Sequence, residues 1–230
     1  MSKIEAIVLN EEDAKTAEAY GADRLELVSA IAEGGLTPSY GTIKQVVKSV
    51  QIPVMVMVRP HSYHYNYQQS EWATLLEDIR IIKELGAAGI VFGALTTKNT
   101  INFELLSKVI EEADGLAITF HRAIDEANTL DLYKALCQSS YHVHQILTSG
   151  GQSTVPEGLT TLHALIQHAS KQLNPPMIMP GAGLNVHNIA SVHEVLQAQF
   201  YHFGSGIRKE GSFAQAIDVQ ALSQIKNILS

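Results

Sequence analysis

The stretch "IEAIVLNEEDAKTAEAYGADRLELV" (Ile4 to Val28) joins an apolar run, an amphipathic segment closed by Gly21, and a second apolar run. That order reads as strand, helix, strand, with the glycine near the helix C-cap. The turn out of the first strand, "VLNEEDA", contains no glycine, whereas an open doubly wound sheet usually carries a Gly-rich turn there. The unit then repeats. Further strand candidates are Pro53 to Val58, Gly89 to Leu95, Leu116 to Phe120, His144 to Ser149, Met177 to Gly181 and Phe200 to Gly204, alternating with helical segments such as "EWATLLEDIRIIKELGAAG". With the first pair, Ile4 to Leu9 and Arg24 to Val28, there are eight, recurring about every 28 residues, near the unit length of an eightfold β/α barrel of roughly 250 residues. No Pro, Gly and Ser-rich linker divides the chain, so residues 1–230 are read as a single β/α (TIM) barrel domain.

Bulk properties narrow the function. A chain of 230 residues, 46% hydrophobic, can bury one large core. The net charge of −7 is spread without a basic block, so nucleic acid is not an expected partner. The start "MSKIEAIVLN" lacks a long apolar segment behind basic residues, and no run is long enough to span a bilayer. No membrane partner and a cytoplasmic location are therefore expected. Cys137, the single cysteine, rules out an internal disulfide and a thiolate cluster within one chain.

Active sites of such barrels lie at the carboxyl ends of the strands, and side-chain parity decides which residues meet there. Met55, Met57 and Arg59 share one face, with Arg59 last before Pro60. Glu5 and Glu26 sit in apolar surroundings, "IEAI" and "LEL", where an unpaired carboxylate is costly. The fifth strand ends in "TFHRAID", placing Thr119 and His121 on one face and Arg122 just beyond. Glu5, Glu26, Arg59, His121 and Arg122 are expected to form one pocket. The alternative is a structural ion-pair network tying the strands together.

After the seventh strand, "MPGAGLNVHN" supplies Gly181 and Gly183 with Asn185 as an N-cap candidate; after the eighth, "FGSGIRK" supplies Gly204, Ser205 and Gly206. Loops at these positions often hold phosphate through backbone N–H groups, although glycines also serve tight turns for steric reasons alone. No lysine ends a strand, which disfavours Schiff-base chemistry. The loop "RPHSYHYNYQQS" carries His61, Tyr63, His64, Tyr65 and Tyr67, suited to a lid or an oligomer contact. Met55, Met57, Met177 and Met179 read as adaptable core fillers, and His142, His163, His168, His187 and His193 as surface residues.

The segments "GADRLEL", "AEGGLTPSYG", "IPVMVMVRP", "TFHRAID", "LTSGG" and "MPGAG", in order from Gly21 to Gly183, closely resemble the CutC-type copper homeostasis family. The resemblance implies a cytoplasmic, oligomeric, single-domain barrel with a role in copper tolerance. Motif by motif it extends to Glu26, Arg59, His121, Arg122 and Asp125, and to Thr148 and Ser149 in "LTSGG". The chain departs from the family pattern where cysteines are common, reading Val8 and Val28, and after "RP", where it reads His61-Ser62-Tyr63-His64 in place of arginine and glycines. The ending "HFGSG" of the eighth strand differs as well.

Copper(I) prefers thiolate and thioether ligands, so direct copper binding at a cysteine site within one subunit is not expected. The remaining metal donors, Glu5, Glu26, His121 and His202, suit a divalent zinc or manganese ion. The other expectation is an enzyme acting on a small anionic or phosphorylated metabolite, with Glu26 or Glu5 as acid or base, His121 as partner, and Arg59 and Arg122 as anion clamps.

Overall fold

A computed structural model describes residues 1–230. Eight parallel strands form the barrel: β1 (Lys3–Val8), β2 (Arg24–Leu27), β3 (Val54–Met57), β4 (Gly89–Phe92), β5 (Ala117–Phe120), β6 (Gln145–Thr148), β7 (Met177–Pro180) and β8 (Phe200–Phe203). From β1 to β7 each strand pairs with the next, and β1 also pairs with β8. The seam between β7 and β8 is closed by one parallel bridge, Gly181 to His202.

The helices are α1 (Glu11–Ala19), α2 (Tyr40–Ser49), α3 (Gln69–Glu84), α4 (Phe103–Glu112), α5 (Thr129–Gln138), α6 (Leu159–Ala169), α7 (Ile189–Leu196) and α8 (Val219–Leu229). Side chains of Asn10, Ser39, Asn102, Asn128 and Asp218 accept from backbone N–H groups in the first turns of α1, α2, α4, α5 and α8. Asn185 is not the cap of α7. That position falls to Asn188, whose Oδ1 accepts from Asn185 N. No helix is long and apolar enough to cross a membrane.

The strands end a little earlier than the apolar runs suggest. β4 stops at Phe92 because Leu95 bridges back to Ile101 within its own loop. Gly93 follows, and a Cβ there would lie 2.5 Å from His121 Nδ1, so only glycine leaves room for that ring. His168 and His193 are half-buried, packed on Tyr133 and Tyr201, and are not the plain surface residues expected from sequence.

The main core lies between the sheet and the helices. Inside the barrel a separate apolar cluster is small, consisting of Val28, Met55, Met57 and Val91. The rest of the interior contains polar groups. Strand register sets Glu5 beside Arg24 and His202, Glu26 beside Met55, and Thr119 beside Gln145. All of these except Arg24 are buried.

Candidate functional site

From the floor upward, a chain of charges crosses the barrel interior. The Arg24 guanidinium contacts Glu5 and Gln145 and stacks 4.3 Å from the Phe200 ring. Glu5 Oε1 lies 2.8 Å from His202 Nδ1, and the other ring nitrogen, Nε2, is 3.7 Å from Glu26 Oε2. Glu26 is 2% exposed, and its Oε1 has no hydrogen-bond partner.

These positions set the protonation. Burial opposes ionising Glu5, but the adjacent Arg24 and His202 outweigh it and hold the carboxyl below its usual range. Burial also disfavours charge on His202, yet Glu26 and Glu5 raise it above the usual imidazole value. Glu26 has no such cation fully to itself. Burial pushes it up to about 7, with His202 opposing and the Glu5 charge adding. Glu26 thus changes protonation near neutrality and faces an imidazole whose protonated form its neighbours favour.

Above them opens a cavity of about 210 Å³, lined by Glu26 and His202 at the floor, by Met57, Arg59, Tyr65, His121 and Arg122 on one side, and by the loops after β7 and β8. His121 caps the short 3₁₀ turn Arg122–Glu126, its Nδ1 accepting from Ala123 N at 3.2 Å. In the neutral ring the proton is therefore on Nε2, which is buried and without a partner. Burial, with Arg59 nearby, pushes His121 down to about 3, so it stays neutral. It offers the cavity a hydrogen-bond donor and no metal lone pair, which removes it from the expected ligand set.

The two arginines do not serve as free clamps. Arg59 donates to the carbonyls of Glu33 (2.9 Å), Gly35 (3.2 Å) and Ser62 (3.3 Å), so its terminal nitrogens pin the loops after β2 and β3. Arg122 donates to Asp125 Oδ2 (3.1 Å), Ser149 Oγ (3.0 Å) and the Gln152 carbonyl (3.3 Å). Asp125 accepts further from Thr148 Oγ1, Ser149 N, Gly151 N and Thr129 Oγ1. Asp125, Thr148 and Ser149 thus form a hub behind Arg122 and do not line the cavity. The donors that reach Asp125 tie the loops after β5 and β6 together, while Arg122 itself still lines the cavity.

Of the glycine-loop residues, Gly183, Gly204, Ser205 and Gly206 line the cavity. Gly181 does not, being packed under Leu147 and His202. Gly206 is forced by contact between the loops, since a Cβ there would stand 1.9 Å from the Leu184 carbonyl. Two contributors were not in the expected acid-base set. His202 follows from parity, since it shares the inward face of "FYHF" with Phe200. Tyr65 had no such signal. It stacks with its ring 5.0 Å from His121 and 4.8 Å from the Arg59 guanidinium, roofing the mouth.

The profile of the CutC family matches residues 2–206. The chain belongs to the CutC family. CutC family proteins of Salmonella heidelberg (strain SL476) and Salmonella typhi are each 36% identical to it over 228 residues, covering 96% of this chain and 90% and 86% of theirs. A Streptococcus agalactiae structure, designated a copper homeostasis protein CutC, superposes with a TM-score of 0.80 at 27% identity, covering 89% of this chain and 98% of that one. A phosphoribosylanthranilate isomerase from Thermotoga maritima shares the fold, with a TM-score of 0.68 at 14% identity over 100% of this chain and 98% of that one.

For this CutC member the donor set decides what metal would fit. Ligand atoms of Glu5, Glu26 and His202 lie within 4.8 Å of one another. Glu5 is already matched by Arg24 and His202 Nδ1, which leaves one carboxylate and one imidazole nitrogen. These are hard or borderline donors. The only thioether lining the cavity is that of Met57, and Cys137 is on α5 outside the barrel, so the residues present do not fit copper(I).

Proposed function

We propose that this CutC-family chain serves copper homeostasis, the role named for its Streptococcus agalactiae relative, by binding a small polar metabolite in the barrel mouth and moving a proton on it. The observation that carries this reading is the facing pair Glu26 and His202, 3.7 Å apart, one with an unpartnered buried oxygen, at the floor of the cavity. A buried carboxyl raised to about 7 beside an imidazole suits general acid-base work near neutral pH. His121 complements it. Its neutral Nε2–H is placed to donate to a carbonyl or hydroxyl oxygen of the ligand, while Glu26 or His202 takes or gives the proton on carbon or oxygen. Glu5 touches no ligand. It is a positioning residue that orients the His202 ring.

The same reading includes a cytoplasmic location, supported by the lone unpaired thiol, and self-association, supported by the exposed Tyr63 on the mouth loop. The test uses small hydroxy-carbonyl compounds in deuterated water with proton NMR. Exchange at carbon should occur with the native chain and be lost in Glu26→Gln. Exchange that persists unchanged in Glu26→Gln rules out this carboxyl as the acid-base group, and no exchange on any of them rules out the reading.

A further inference from the structure

The floor of the mouth is an acid-base pair, whereas its far rim consists almost wholly of backbone. Gly183 and Leu184 after β7, and Ser205 and Gly206 after β8, line the cavity, and their four N–H groups have no acceptor within the protein. Leu184 is only 2% exposed, so its unpaired N–H is not explained by free access to water. No carboxylate reaches this rim, since Glu26 is the only acidic residue lining the cavity and it is at the floor. No lysine lines it, and the two arginines are held in part by the protein itself, Arg59 through its terminal nitrogens on carbonyls and Arg122 on Asp125, Ser149 and the Gln152 carbonyl. Three further groups on cavity-lining residues, independent of these loops, also lack partners: Glu26 Oε1 at 2% residue exposure, His121 Nε2 at 4% and Arg59 Nε at 5%. Buried polar atoms of this kind are rarely left unmatched unless a ligand completes them.

We propose that the ligand is a small phosphomonoester, its phosphate seated on the backbone of Gly183, Leu184, Ser205 and Gly206 and its oxygenated carbon chain reaching down to His121 and Glu26. Donors from two loops suit a tetrahedral group with three terminal oxygens better than a planar carboxylate with two. Size limits the organic part. The cavity of about 210 Å³ lies below the range of roughly 300 to 1,000 Å³ common for drug-sized ligands, which favours a short chain. Orientation follows from chemistry, because the dianion is drawn to the N–H groups and away from Glu26, while a carbonyl or hydroxyl oxygen meets His121 Nε2–H.

The inference rests on the small-molecule reading of the same mouth, but its test can fail separately. The native chain, labelled with nitrogen-15, is titrated at pH 7 with sn-glycerol 3-phosphate, with glycerol and with inorganic phosphate. Glycerol 3-phosphate should saturate shifts of the Gly183, Leu184, Ser205 and Gly206 amides, inorganic phosphate should move the same four more weakly, and glycerol should move none. Ser205→Glu, at an exposed position, should weaken glycerol 3-phosphate by about tenfold or more through like-charge repulsion. Glu26→Gln should still bind the phosphate while losing proton exchange. Shifts confined to other parts of the molecule, or equal affinity in Ser205→Glu, would overturn the phosphate site. Loss of exchange chemistry with the four amide shifts intact would leave it standing.

Discussion

His202 Nδ1 lies 2.8 Å from Glu5 Oε1 while the same ring faces Glu26 with its other nitrogen, so one imidazole links two carboxyls of opposite character. Arg24 keeps the first ionised, and burial keeps the second protonated to about pH 7. The pair Glu26 and His202 therefore titrates as a unit, not as two independent groups.

A pH dependence of stability follows from these directions. Glu26 is raised from 4.5 to about 7, so between those values the folded chain holds a proton that the unfolded chain has released, and stability falls as pH rises. His202 is raised too, and its contribution is full below its usual 6.5 and lost as pH climbs through its folded value. Glu5 acts in the opposite sense, its contribution being present above 4.5 and lost on acidification. Urea denaturation should show the native chain less stable at pH 8 than at pH 6. In Glu26→Gln most of that decline should vanish, with Glu26 supplying about 1.4 kcal/mol of it between pH 6 and pH 8. Parallel pH profiles for the two proteins would contradict the assignment.

Tyr65 should act as a partition. It and Arg59 line both the mouth cavity and a neighbouring one of about 240 Å³ under the loop after β3. Tyr65→Ala is expected to merge the two into one trough, visible in a crystal structure, and to admit longer ligands while weakening short ones. Loss of its stacking on Arg59 and His121 should destabilise the fold by about 1 to 2 kcal/mol. Two cavities still separate in the variant would show that another group divides them.

How much of this was legible beforehand depended on whether a signal was periodic. Eight apolar runs at regular spacing determine the barrel, and alternation along each strand places Glu5, Glu26, Met57 and His121 on the inner face. The same alternation places His202, but a histidine inside "FYHF" reads equally well as a core ring, and only its contact with Glu5 identifies it as part of the floor. The use of Arg59 and Arg122 was not legible. Apart from the Asp125 and Ser149 side chains that hold Arg122, their partners are carbonyls such as those of Glu33, Ser62 and Gln152, atoms that every residue has, in loops whose course no period fixes. The loop after β3 was expected as a lid or an oligomer contact, but which of its tyrosines covers the mouth was not legible, since Tyr65 is fixed there by its contacts with His121 and Arg59.

Asp125 should prove structural. Its carboxylate receives Arg122 Nε, Thr129 Oγ1, Thr148 Oγ1 and the N–H groups of Ser149 and Gly151, joining the ends of β5 and β6. Asp125→Ala strands these donors and is expected to cost about 3 kcal/mol or more in urea denaturation. Arg122 is partly exposed, so Arg122→Ala should cost less. If Asp125→Ala were as stable as the native chain while abolishing ligand binding, Asp125 would belong to the site after all.

The copper prediction rests on where the soft donors are. Cys137 lies on α5, half-buried, its thiol pushed up by burial so that little thiolate is present at neutral pH. Met57 alone brings sulfur to the mouth, while Met179 faces the Arg24 guanidinium, a cation that would repel a metal ion. One thioether with an imidazole and a carboxylate makes a poor copper(I) site, and Glu26 and His202 together suit a harder ion or a proton. In competition against a copper(I) chelator at neutral pH, the native chain should bind weakly and Cys137→Ser should behave the same. Tight one-to-one binding lost in Cys137→Ser would instead require a thiolate site, either through rearrangement of α5 or through thiols paired between subunits. Weak binding in both, with protection by glycerol 3-phosphate that Ser205→Glu removes, would separate the mouth's chemistry from copper ligation.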